Sequence, residues 1–146
     1  MSENYIFLAD DDEDDRMLFS EALEEQCPNA SILTFDNGVD LMANLLNKDQ
    51  HLPDVIFLDL NMPMMNGEEC LNDIRMEPKL ANIPVIIYST SLDPQQVETL
   101  RINGANRYLK KPENFNKLKL TLDRAIKSVL NKENEIASDL EFVVKY

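Results

Sequence analysis

Asp59 ends an apolar run, Val55, Ile56, Phe57 and Leu58, and a turn containing Pro63 and Gly67 follows. An uninterrupted apolar run of this length, bounded by turn residues, predicts a strand buried on both faces. A carboxylate at the C-terminal end of such a strand stands at the rim of a sheet, where open α/β folds bind ligands. A second apolar run, Tyr5–Ala9, leads directly into the acidic triplet Asp10, Asp11 and Asp12. If the two strands are parallel neighbours, their carboxylates converge. Carboxylates crowded in this way repel one another and are tolerable mainly with a bound cation, so cation binding is the chemistry this spacing points to.

The elements that must hold these acids follow from periodicity. Strands are predicted at 5–9, 31–35, 55–59, 85–89 and 107–110, and helices at 14–26, 38–47, 67–76, 94–103 and 115–131. Asp93 and Pro94 give an N-cap followed by proline at the first helical position. Gly104 suits the residue just past a helix end, and Asn114 can cap the last helix. Five strand–helix repeats predict an α/β domain with a parallel sheet, and right-handed crossovers place helices on both of its faces. One rim then gathers Asp10, Asp59, Ser89 with Thr90 and Ser91, and Lys111 with Pro112. Each residue type alone is a weak signal; their shared place at successive strand ends is a strong one.

The chain's 146 residues suit one domain, and a hydrophobic fraction of 44% is ordinary for a globular protein. No stretch approaches the roughly 18 apolar residues a membrane span needs, and Met1–Asn4 lacks the positive start of a signal peptide. A soluble, cytoplasmic protein with no membrane partner is expected. Twenty-seven acids against 14 bases give a net charge of −13. Such a surface repels phosphate backbones, so nucleic acid is not expected as a partner. Two cysteines, Cys27 and Cys70, do not make a disulfide framework. The single histidine, His51, lies in a polar loop and supports neither a zinc site nor a histidine phosphocarrier.

These landmarks, in this order, are similar to the receiver domain of two-component response regulators, of the single-domain, chemotaxis-regulator type. The resemblance rests on Asp10 and Asp11, Asp59 within the run from Leu58 to Pro63, Ser89, Tyr108, and Lys111 with Pro112, and it covers roughly residues 5–131. It implies a flavodoxin-like three-layer α/β/α fold with five helices and a five-stranded parallel sheet in the order 2-1-3-4-5. It implies a receiver over residues 1–132, with 133–146 outside the match.

The resemblance also assigns roles. Asp59 would be the nucleophile that accepts a phosphoryl group from a sensor histidine kinase or a histidine phosphotransfer protein. Mg²⁺ would be held by Asp10, Asp11, Asp59 and the backbone carbonyl of Asn61. Lys111 would pair with one phosphoryl oxygen, and Ser89, in place of the more usual threonine, would hydrogen-bond another. Asn61 and Ser91 would flank the path of attacking water. Ser89 drawn toward phosphate would leave space for Tyr108 to rotate inward, altering a face read by a downstream protein. Pro112 would follow a cis peptide. Such a protein is no enzyme beyond its own phosphorylation and dephosphorylation, and the sequence is compatible with a homodimer.

Two other readings are weaker. Asp10 and Asp12 match the Asp-x-Asp of aspartate-nucleophile phosphatases, which would make Asp10 the acceptor, but Glu13 stands where threonine or valine is expected. An EF-hand loop would need glycine where Asp15 stands, and a helix where a strand precedes. Acids 12–15 are expected to cap and charge the first helix. In the tail, Leu140, Phe142, Val144 and Tyr146 alternate like a strand, while Ile136, Leu140, Val143 and Val144 also fit a helix. Periodicity alone does not choose between them.

Overall fold

The computed structural model describes residues 4–130 and 139–144. The boundary expected at 132/133, Ile136 and Tyr146 fall outside the described residues. The chain alternates β1 (Tyr5–Ala9), α1 (Glu13–Gln26), β2 (Ser31–Phe35), α2 (Gly38–Leu45), β3 (Val55–Leu58), α3 (Gly67–Met76), β4 (Val85–Ser89), α4 (Pro94–Ile102), β5 (Arg107–Lys110) and α5 (Phe115–Leu130). A helical turn, α6 (Asp139–Phe142), then leads into β6 (Val143–Val144).

The sheet is wholly parallel, in the order β2-β1-β3-β4-β5-β6. The flavodoxin-like order is as expected; the strand number is six, not five. The sixth strand comes from the tail, where one helical turn precedes two strand residues, Val143 and Val144. An open edge on β5 supplies backbone partners that a free tail lacks, so tertiary pairing decides what local pattern leaves open.

Every residue of β3 and β4 is buried, which explains their unbroken apolar runs. Strand alternation divides the core into two clusters. Phe7, Ile56, Leu58 and Ile87 face Leu41, Leu71, Ile74 and Leu100 of α2, α3 and α4. Ile6, Leu8, Phe57 and Ile86 face Phe19, Leu23, Leu122 and Ile126 of α1 and α5. Phe19 meets Phe57 edge-on at 4.9 Å between ring centroids and Tyr88 at 5.4 Å. Each such fully buried side chain contributes about 1.5–3 kcal/mol relative to exposure. Cys70 belongs to this core, and burial pushes its thiol up to about 12.

Helix ends follow the sequence signals. Asp12 caps α1 by accepting from the Asp15 amide, Asp93 caps α4 ahead of Pro94, and Asn114 accepts from the Lys117 amide. Gly104 takes a φ of 106° just past α4, a left-handed conformation that costs glycine nothing.

Candidate functional site

The rim is built by strands that end in step. Ala9 pairs with both Phe35 and Leu58, and Ser89 pairs with Lys110. Backbone bonds extend each ladder by one residue: the Asp10 amide donates to Phe35 O, the Asp59 amide to Ala9 O, and the Lys111 amide to Ser89 O. Asp10, Asp59 and Lys111 therefore leave the sheet at one level. Gly67 allows the loop after β3 to fold back tightly. A Cβ there would lie 2.2 Å from the Asp59 carbonyl oxygen, so any side chain would displace the backbone that carries Asp59.

Carboxylate oxygens of Asp10, Asp11 and Asp59 lie within 4.8 Å of one another. Asp10 is fully buried, Asp59 is 5% exposed and Asp11 is open to solvent. One oxygen of Asp10 accepts from the Asp12 amide at 3.0 Å. The other lies 2.8 Å from Lys111 Nζ, a buried ion pair. An all-oxygen set of three converging carboxylates, two of them buried, fits a hard divalent cation such as Mg²⁺. Asn61 is exposed two residues beyond Asp59, on the same loop.

Lys111 stands over these acids. Its Nζ lies 2.8 Å from Asp15 Oδ2 and 3.5 Å from Asp59 Oδ2, and 5.2 Å from the centroid of the Tyr88 ring. Burial alone would lower the ammonium's pKa; its bonds with Asp10 and Asp15 and the charge of Asp59 reverse this and raise it. Lys111 thus stays charged. Asp59 is pushed up to about 7, first by burial and then by the Asp10 carboxylate, with Lys111 opposing. A cation among the three acids would favour the ionised Asp59 that nucleophilic attack requires.

The structure differs from the sequence reading at three points. Asp15, expected only to cap and charge α1, reaches across to Lys111. Its place in the first helical turn after Asp12 was the available signal, but only the packing of α1 beside the rim shows where that side chain goes. Lys111–Pro112 is trans, since the described residues contain no cis peptide. Trans is the lower-energy form of an X-Pro bond by about 0.5–1 kcal/mol, and Lys111 reaches its partners without the cis form. Tyr108 is fully buried, its hydroxyl donating to Ser91 O at 2.6 Å, so the ring already lies inward. Ser89 is buried at the end of β4, and its Oγ accepts from the Ser91 amide at 3.3 Å.

Several known proteins are similar to this chain. Response regulator Rcp1 of Synechocystis sp. is 31% identical over 117 residues, spanning 77% of this chain and 80% of its own length. The probable methanogenesis regulatory protein FilR2 of Methanothrix harundinacea is 30% identical over 121 residues, 81% of this chain and 78% of its own. Among solved structures, the phosphorylated cyanobacterial phytochrome response regulator RcpA matches with a TM-score of 0.79 at 28% identity, over 94% of this chain and 100% of its own. The Mn²⁺-bound form of Rcp1 matches at 0.74 with 27% identity, over 92% and 97%. The family model for the response regulator receiver domain matches residues 6–123, and with the rim described above this places the chain in the response regulator receiver family of two-component signalling.

Proposed function

We propose that this chain accepts a phosphoryl group on Asp59 and, in that state, alters a face read by another protein. The observation that carries this reading is the convergence of Asp10, Asp11 and Asp59 beneath Lys111. The donor is a phosphohistidine of a sensor kinase or a phosphotransfer protein. An Asp59 carboxylate oxygen attacks phosphorus, the P–N bond breaks, and the histidine ring leaves with the bonding pair and takes up a proton. The product is an aspartyl phosphate.

Each neighbour has a task in that step. Asp10, Asp11, Asp59 and the Asn61 carbonyl would hold Mg²⁺, which supplies charge neutralisation between carboxylate and phosphoryl oxygens. Lys111 gives a point contact to one phosphoryl oxygen, exchanging part of its present pairing with Asp59 and Asp15. The Ser89 hydroxyl donates to another. Asn61 and Ser91 border the approach of the water that later hydrolyses the acyl phosphate; neither supplies a strong base. Tyr108, bonded to Ser91 O, links this centre to the β5 surface. The phosphorylated state of RcpA and the Mn²⁺-bound state of Rcp1 support both halves of the proposal, phosphoryl and divalent cation.

The setting is a cytoplasmic signalling pathway. No described helix is long and apolar enough to cross a membrane. The acidic surface disfavours nucleic acid, so the output is a protein contact.

Intact-mass measurement after incubation with Mg²⁺ and a small phosphodonor tests the reading. One phosphate adduct is expected on the native protein, with none on Asp59→Asn and none with chelator. An adduct of equal yield on Asp59→Asn would overturn it.

A further inference from the structure

The outer edge of β5 carries a second kind of information. Left alone, β5 would end the sheet with unpaired backbone groups. β6 occupies that edge in register, Val143 beside Tyr108 and Val144 beside Leu109. Phe142 is 2% exposed and shares an apolar cluster with Tyr108, against which Val143 also packs. Val144 is 8% exposed and turns to the opposite cluster, with Leu109 and Leu122. Arg107, one residue before the register on β5, is also engaged. Burial lowers the pKa of Arg107, and the nearby Glu141 carboxylate partly offsets the fall, while Ser128 accepts from the Arg107 guanidinium. Val143 and Val144 further line a cavity of about 510 Å³ with Lys110, Lys111 and Pro112.

We propose that the β5 edge is a docking surface whose occupant is this chain's own segment 139–144, and that docking holds Tyr108 inward. The segment touches the sheet where Tyr108 sits and borders the loop that carries Lys111. A contact that favours one position of Tyr108 must, by thermodynamic reciprocity, be favoured by anything else that selects the same position. Resting on the reading of Asp59 as phosphoacceptor, this makes the segment a tethered effector: its docking eases phosphorylation of Asp59, and phosphorylation tightens its docking. A target that needs the β5 edge must displace it.

The test compares the native chain with Phe142→Asp, Phe142→Leu and a form ending at Leu130. All carry fluorinated tyrosine, and Tyr108→Phe assigns the Tyr108 resonance. In the unphosphorylated proteins, Phe142→Asp and the shortened form are expected to shift that resonance toward solvent-exposed values, and Phe142→Leu to retain the native one. Phosphorylation by a small donor is expected to slow about fivefold or more in the first two, the lower end of typical coupling between sites. An unchanged Tyr108 resonance in both would overturn the proposal. A dimer in sedimentation that becomes monomeric on shortening would assign the edge to the segment of a second copy and overturn the intramolecular occupant. Failure of every form to take phosphate would instead defeat the phosphoacceptor reading, and the Tyr108 resonance would still decide the docking.

Discussion

The carboxylate rim and the β5 edge lie on the same sheet and obey opposite energetics. At the rim, Asp10 and Asp59 are buried close together, and first burial, then the neighbouring Asp10 charge, raise the Asp59 carboxyl to about 7. At the β5 edge, Phe142 and Val144 are buried among apolar neighbours and the backbone finds a partner. One region holds charge at a cost to the fold; the other adds burial. The difference teaches where function sits. Groups that stabilise the fold least are those we propose take a cation and a phosphoryl group, and the edge that gains most from a partner strand is beside Tyr108, the proposed reader of the result.

Substitutions of opposite sign would sharpen that contrast. Asp59→Asn should stabilise the cation-free protein by about 1–3 kcal/mol at pH 8, measured by urea unfolding. The sign follows from the raised native pKa. The protonated form is favoured in the fold, so native stability is full below about pH 4, falls as pH rises toward 7, and stays low above it. Asparagine avoids that loss, so the advantage of the variant should vanish near pH 3.5 and shrink with added Mg²⁺. A destabilised Asp59→Asn at pH 8 would break the comparison.

Phe142→Ala should act the other way, lowering stability by about 1–2 kcal/mol. This is less than the roughly 3–5 kcal/mol usual for a buried phenylalanine, because the segment can undock before the rest unfolds. Hydrogen exchange should show the loss confined to β5 and its neighbours. A loss of protection spread evenly over β1 and β3 would show that the edge and the rim are one cooperative unit.

Asp15→Asn should have the smallest effect, under about 1 kcal/mol in thermal unfolding, since Asp15 is partly exposed and Lys111 keeps Asp10 and Asp59 as partners. A larger change would mean that Asp15, rather than the buried acids, anchors Lys111.

Much of the rim is legible in the sequence because it is local. An apolar run that stops at an acid places that acid at a strand end, and parallel strands in register bring Asp10, Asp59, Ser89 and Lys111 to one edge. Capping by Asp93 and Asn114 and the turn at Gly104 are likewise local. Less legible is whatever depends on the mutual placement of elements. Asp15 meets Lys111 only because α1 packs beside the rim. Val143 and Val144 become a strand only because β5 has an open edge. The inward ring of Tyr108 is bonded to Ser91 in the loop after β4 and flanked by that added strand, and neither neighbour is written in the residues around it.

In the proposed reaction Asp59, and not the neighbouring Asp10, takes the phosphoryl group. Borohydride reduction of the phosphorylated protein converts an aspartyl phosphate to homoserine, and peptide mass mapping then finds its position. Homoserine is expected at position 59. Homoserine at position 10 would contradict it.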